Sequence, residues 1–339
     1  MTDAQAMPLG PLMIDIEGPA LSEEDRALLL HPQVGGVILF TRNYQDPDQL
    51  RALTETIRSL RTPRLLIAVD HEGGRVQRFR DGFTALPPMA QYGAQAEQSP
   101  GAALAAVREH GFIIARELIA HGIDLPFAPV LDCHRGLSTV IGDRALAGDP
   151  DTVIALASAF CDGLAEGGMA STGKHYPGHG GVVLDSHHDL PRDERDLAQL
   201  RAECLAPFAG MVKRGLDSIM TAHILYPAVD AQPATFSKRW LGDILRDELG
   251  FEGVIISDDL GMGGAVAVGG PAERVAAAQA AGCELILLCN DRAAVRAALH
   301  APLAAPTEAA SARLEGLYAK APGAAAVVPD AFLAEDDRG

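Results

Sequence analysis

The sequence predicts an α/β protein: a single (β/α)8 barrel of the TIM type with long βα loops. Three observations predict it. Short, nearly continuous apolar runs alternate with longer helical patterns along the 339 residues. Strands without a polar face are buried on both sides, as in parallel sheets. The runs make eight strand–helix units, the number that closes such a barrel. A doubly wound sheet would carry a phosphate-binding glycine turn after its first strand, and here that turn reads Glu17-Gly18-Pro19-Ala20.

The units follow in order. Residues 12–17 are the first strand, and Ser22 caps the helix after it. Glu23, Glu24 and Asp25 lie in its first turn, where carboxylates meet the positive end of the helix dipole. Residues 36–40 form the second strand and 46–60 the second helix. Residues 65–70 form the third strand, followed by a long polar, Gly-rich segment and a helix over 101–121. The fourth strand, 125–132, contains Pro126 and Pro129, which make its edges irregular. The next helix, 149–166, opens Asp-Pro-Asp, a cap followed by a proline in the first turn.

Residues 170–174 form a fifth strand and 196–214 a helix. The sixth strand is 218–223, and its helix, 237–249, is capped by Ser237 and stopped by Gly250. The seventh strand is 253–258, with a helix over 272–281; the eighth is 284–289, with a helix over 292–300. The expected organisation is a catalytic barrel over 1–305 and a terminal helix with an acidic tail over 306–339.

Composition narrows the function. A net charge of −17 without a basic block argues against nucleic-acid binding. The five cysteines form no CxxC pair and read as reduced, mostly buried thiols. No apolar run reaches the roughly 18 residues that span a bilayer, and residues 1–10 show no signal-peptide pattern. A cytoplasmic protein that touches neither membrane nor nucleic acid is expected.

Barrel enzymes place their catalytic groups at the C-terminal ends of strands. Asp70, Asp132, Lys174, His175, His223, Asp258 and Asp259 stand at such ends. The densest stretch runs from Lys174 to Asp189 and holds four histidines, two aspartates and a lysine. A metal site built on His175, His179, Asp185 and His187 is disfavoured, because neither an HxH pair after the first strand nor HExxH occurs. A serine nucleophile lacks its GxSxG elbow. Glycoside cleavage fits better. It needs one carboxylate at the anomeric carbon and a proton donor opposite. Asp258 suits the first role. His187 suits the second, since an imidazole can protonate a leaving oxygen and then deprotonate water, with Asp185 two residues earlier to orient it.

These residues carry a family resemblance. Lys174-His175-Tyr176-Pro177-Gly178-His179-Gly180 followed by Asp185-Ser186-His187 resembles the KH(F/Y)PGHG…DSH signature of family 3 glycoside hydrolases, in their bacterial β-N-acetylglucosaminidase branch. Gly250 to Asp259 is similar to the family's nucleophile segment, and Ala68 to Phe79 to its substrate segment. Phe127 to Asp132, Ile141 to Arg144 and Met220 to His223 match further blocks.

The resemblance implies a single-domain barrel that cleaves N-acetylglucosamine from 1,6-anhydro-N-acetylmuramic acid, with or without its peptide, in cytoplasmic cell-wall recycling. It implies Asp258 as nucleophile, His187 as acid/base and Asp185 as its partner. Asp70, Arg78, Arg144, Lys174 and His175 would hold the sugar's hydroxyls and acetamido group. It implies a small-molecule substrate (a muropeptide or anhydro-disaccharide), a monomer, and neither metal nor other cofactor. Glycines 178–181 are expected to form a flexible arm carrying His187. His71 departs from the family by standing where glutamine is frequent.

Overall fold

The computed structural model describes residues 5–6, 9–136, 138, 140–181, 190–266 and 268–320. Eight principal strands follow one another with helices between them: β1 (Leu12–Ile14), β2 (Val34–Leu39), β3 (Leu66–Val69), β4 (Leu125–Pro126), β5 (Thr172–Tyr176), β6 (Ser218–Thr221), β7 (Val254–Ile256) and β8 (Ile286–Leu288). All their pairings are parallel, in a five-stranded sheet β8-β1-β2-β3-β4 and a three-stranded sheet β7-β6-β5.

The expected single closed sheet is therefore resolved into two. Isolated parallel bridges, Val130 with Lys174 and Ile256 with Leu285, span the two gaps between their edges. Each gap has a chemical reason. At β4 the prolines Pro126 and Pro129 remove backbone donors. Between β7 and β8 side chains take backbone donors: the Leu287 amide donates to Ser257 Oγ (3.0 Å) and the Cys289 amide to Asp259 Oδ1 (3.0 Å).

Side-chain alternation along the strands separates two apolar layers. Leu12, Ile14, Val37, Leu39, Ile67 and Val69 pack outward under the helices. Met13, Ile38, Leu66 and Ala68 join Met220, Val254, Ile256 and Leu287 in an inner cluster. Residues of both sheets thus share one interior. Leu314 and Leu317, from and just after α11 (Glu308–Gly316), close that interior beside Leu9.

The helices start where the caps predict. Ser22 Oγ accepts from the Asp25 amide ahead of α1 (Glu23–Leu29), Asp46 caps α2 (Pro47–Arg58) and Asp149 caps α5 (Pro150–Gly167). Ser237 Oγ accepts from the Trp240 amide (3.0 Å) at the π-type helical segment Arg239–Glu248. Two expectations are corrected. The helix expected over 196–214 is two, α6 (Leu197–Ala202) and α7 (Leu205–Lys213). Glu203 leaves helical geometry between them, and its carboxylate pairs with Arg135 and Arg195. The polar segment after β3 also contains a hairpin (His71–Gly73 with Val76–Gln77) and α3 (Ala90–Gln98), ahead of α4 (Pro100–Ala120). Gly73 and Gly74 turn the hairpin at φ 102° and 55°, which a side chain would resist.

His71 in this hairpin is fully buried beside Phe79 and Phe83, and neither ring nitrogen has a hydrogen-bond partner among the described residues. Burial first, then His110, Arg80 and Arg78, pull its pKa down to about 3. A depressed folded value gives stability that is present above the unfolded pKa and lost as pH falls toward the folded one. Between about pH 7 and 5 the His71 contribution falls by about 2 kcal/mol. His71→Gln removes this titration. Thermal melts at the two pH values are expected to show a smaller loss on acidification than in the parent chain; equal losses would contradict the assignment.

Candidate active site

Asp70, Arg78, Arg144, Lys174, His175 and Asp258 line one cavity of about 600 Å³. Six of the eight residues that the sequence singled out are thereby brought together. The other two, Asp185 and His187, lie outside the described residues, as do His188 and Asp189. Asp70 directly follows β3, Lys174 and His175 belong to β5, and Asp258 comes two residues after β7. Arg78 and Arg144 come from the long loops after β3 and β4. The groups sit at the C-terminal ends of parallel strands, where the expected architecture puts them.

Lys174 anchors the cavity. Its side chain is 1% exposed, and Nζ lies 2.9 Å from Asp70 Oδ1 and 2.6 Å from Glu72 Oε1. Arg144 grips Glu72 with two parallel bonds, Nε to Oε2 at 2.9 Å and Nη2 to Oε1 at 2.7 Å. Arg78 Nη2 donates to Asp70 Oδ2 at 3.1 Å. Such forked guanidinium–carboxylate pairs are strong and directional. Burial alone would raise both carboxyl pKa values. Lys174 and Arg78 overcome it at Asp70 and hold that group well below the usual carboxylate range. Arg144 and Lys174 bring Glu72 down to about 2. Both stay ionised at neutral pH.

Glu72 pairs with Arg144, and it also holds Lys174. Asp132, six residues beyond β4, braces the wall formed by His175 and His179. It accepts from His175 Nδ1 (2.8 Å) and from the His179 amide (2.5 Å). Sequence reasoning did not count Phe40, Arg75, His179 or Asn290 among the site residues, yet all four line the cavity. Their signal was position alone, just beyond strand ends or in the loops after them.

Asp258 and Asp259 differ in environment. Asp258 is half-buried, faces the cavity, and accepts from the Asp259 amide through Oδ1 (2.8 Å). Asp259 Oδ1 is committed to two backbone amides, those of Gly261 (2.9 Å) and Cys289 (3.0 Å). It braces β7 against β8. Burial raises its pKa; the two amides oppose this, Asp258 and Asp15 add to it, and the group reaches about 6. His223 is structural too: its Nε2 donates to the Asp259 carbonyl (3.0 Å) and its Nδ1 lies 2.9 Å from Thr235 Oγ1.

The expected flexible glycine arm is corrected at its base. Gly178 and Gly180 are buried. A Cβ on Gly180 would stand 1.9 Å from the Cys133 carbonyl oxygen, and one on Gly178 (φ +133°) 2.5 Å from Cys204 Cβ. Tyr226 Oη also donates to the Gly178 carbonyl (2.8 Å). These glycines permit close packing, so this stretch is fixed up to Gly180. The cysteines behave as expected: all five are free thiols, four of them buried.

Removing one partner from a buried ion network leaves its mates uncompensated, at about 3–5 kcal/mol. Glu72→Gln is expected to cost about 3 kcal/mol of unfolding free energy in urea at neutral pH. A loss below about 1 kcal/mol, the value of an exposed pair, would show that Lys174 and Arg144 do not depend on it.

Comparison with known proteins gives a single answer. Residues 8–314 match the model for the glycosyl hydrolase family 3 N terminal domain. The chain is 52% identical over 332 residues to a β-hexosaminidase of Thiobacillus denitrificans, covering 97% of this chain and 92% of that protein. It is 54% identical over 314 residues to a β-hexosaminidase of Chromobacterium violaceum, covering 93% and 88%. NagZ from Neisseria gonorrhoeae, solved in complex with N-trifluoroacetyl-D-glucosamine, superposes with a TM-score of 0.88 at 46% identity, covering 93% and 92%. A family 3 β-N-acetylglucosaminidase from Paenibacillus gives a TM-score of 0.83 at 35% identity, with 91% of this chain and 60% of that one covered. The chain belongs to glycosyl hydrolase family 3 and, within it, to the bacterial β-hexosaminidases.

Proposed function

We propose that the protein is a retaining exo-β-N-acetylglucosaminidase that removes terminal N-acetylglucosamine from cytoplasmic peptidoglycan fragments. The observation that carries this reading is the convergence of Asp258, a carboxylate with no ion-pair partner among the described residues, with the group of Asp70, Arg78, Arg144, Lys174 and His175 in one cavity. Arginine and lysine only donate hydrogen bonds and carboxylates only accept, while a sugar ring presents hydroxyls that do both. A cavity of about 600 Å³ suits a sugar ring with part of its leaving group. The N-acylglucosamine carried by the gonococcal NagZ structure supports an N-acetylhexosamine as the sugar.

The reaction is a double displacement. An Asp258 carboxylate oxygen attacks the anomeric carbon as its bond to the leaving oxygen breaks. His187, oriented by Asp185, gives its proton to that oxygen. His187 then takes a proton from water, which attacks the same carbon and releases Asp258 with net retention. Lys174, Arg144, Arg78, Asp70 and His175 hold the ring so that the anomeric carbon meets Asp258. Asp259 Oδ1 is held by two backbone amides, which ties that carboxylate to the β7–β8 backbone and supports Asp258 as the attacking group.

The two sheets, with their common interior and bridged edges, are read as one (β/α)8 barrel over 1–305, with 306–339 appended as a terminal helix and tail. Among the described residues no helix is long and apolar enough to cross a membrane. A cytoplasmic monomer acting on anhydro-disaccharides and muropeptides in wall recycling, and through it on cell shape and division, completes the proposal.

A chromogenic N-acetylglucosaminide is the first test, and the chain is expected to hydrolyse it. In His187→Ala, activity on a substrate with a poor leaving group is expected to fall about a hundredfold further than on one with a good leaving group, because acid assistance matters most there. Equal losses on both would remove His187 as the acid. No turnover by the parent chain would overturn the enzyme reading in favour of a sugar-binding barrel.

A further inference from the structure

The site contains an aspartate–histidine pair, Asp132 and His175, held by several hydrogen bonds. Asp132 is fully buried, six residues beyond β4. Its carboxylate accepts from His175 Nδ1 (2.8 Å), from the His175 amide (3.3 Å to Oδ2) and from the His179 amide (2.5 Å to Oδ1). Two of these donors are backbone N–H groups that keep their protons. The third contact is favourable only if the imidazole also donates, which puts the ring proton on Nδ1. A neutral imidazole protonated on Nδ1 carries its lone pair on Nε2. His175 lines the cavity, and Nε2 has no hydrogen-bond partner among the described residues.

We infer that Asp132 is a positioning residue that makes His175 Nε2 a neutral hydrogen-bond acceptor for a hydroxyl of the hexosamine ring, an inference that rests on the sugar-cleaving function proposed above. The surrounding chemistry makes such an acceptor valuable. Lys174, Arg78 and Arg144 can only donate. Asp70 accepts, but Lys174 already engages Oδ1 and Arg78 engages Oδ2. Glu72 is taken by Arg144 and Lys174. A ring hydroxyl that gives its proton to Nε2 is still free to accept from a neighbouring cation. The ring would then discriminate against a sugar whose group at that position accepts without donating.

The test begins on the intact parent chain without substrate. Nitrogen-15 NMR of the imidazoles at about pH 8, with His175 assigned by its loss in His175→Gln, is expected to show a protonated Nδ1 and a bare Nε2. In Asp132→Asn the amide can present a donor to the ring, and that signature is expected to vanish. KM for a chromogenic N-acetylglucosaminide is expected to rise at least about tenfold, with a smaller change in kcat. The decisive comparison is the double variant. If Asp132 acts through the ring, Asp132→Asn changes KM less than about twofold when His175 is already glutamine. A parent ring protonated on Nε2, or two substitutions whose effects multiply, would overturn the inference. Failure of the hexosaminidase reading is distinguishable: the parent chain would then neither bind nor cleave the N-acetylglucosaminide, while the ring signature is read without it.

Discussion

Lys174 between Asp70 and Glu72 is the interaction on which the site depends. A side chain 1% exposed carries a full positive charge, and only two carboxylates in direct contact make that tolerable. Those carboxylates in turn fix two arginines, Arg78 on Asp70 and Arg144 on Glu72. Five side chains, from just beyond the third strand, from the fifth strand and from the two long loops, are thereby locked into one arrangement. Two of the pairs join distant parts of the chain: Lys174 and Asp70 are 104 positions apart, Arg144 and Glu72 are 72, whereas Arg78 and Asp70 are 8 apart. Network and fold therefore specify each other. The strand ends bring the charges together, and the charges fix the loops after β3 and β4, which lie outside the two main sheets.

The same economy appears at the weak points of the sheet. Where the eighth strand meets the seventh, Ser257 and Asp259 take amides that a regular ladder would pair with carbonyls. Where the fourth meets the fifth, prolines thin the ladder and Asp132 takes the His175 and His179 amides. Polar side chains thus close the gaps between the sheets, and they lie beside the cavity. Asp259 braces the backbone next to Asp258, and Asp132 braces the backbone and ring of His175. Asp70, Lys174, His175 and Asp258 stand on strand ends or just beyond them, the kind of placement that leaves little reorganisation to be done in a transition state.

Local signals were the legible part of the chain. Apolar runs gave the strands, and Ser22, Asp46, Asp149 and Ser237 gave helix starts, because both depend on neighbours within a few residues. Strand ends then gave Asp70, Lys174, His175 and Asp258. What could not be read was long-range pairing. Nothing near Glu72 announces that it will hold both Arg144 and Lys174. Nothing near Glu203 announces that Arg135 and Arg195 will draw its carboxylate at the break between two helices. Gly178 and Gly180 were misread as flexible for a related reason. The partners they approach, Cys204 and Cys133, are distant in sequence, and glycine serves close packing as readily as mobility.

The central claim is that this pre-assembled charge network presents the anomeric carbon of an N-acetylhexosamine to Asp258. Trapping tests it most directly. The chain would be incubated with a fluorinated N-acetylglucosaminyl donor that carries a good leaving group, then digested, and its peptides weighed. The account predicts one glycosyl adduct, on the peptide containing Asp258 and absent from Asp258→Asn. An adduct on another residue, or none in a chain that still turns over an N-acetylglucosaminide, would contradict it.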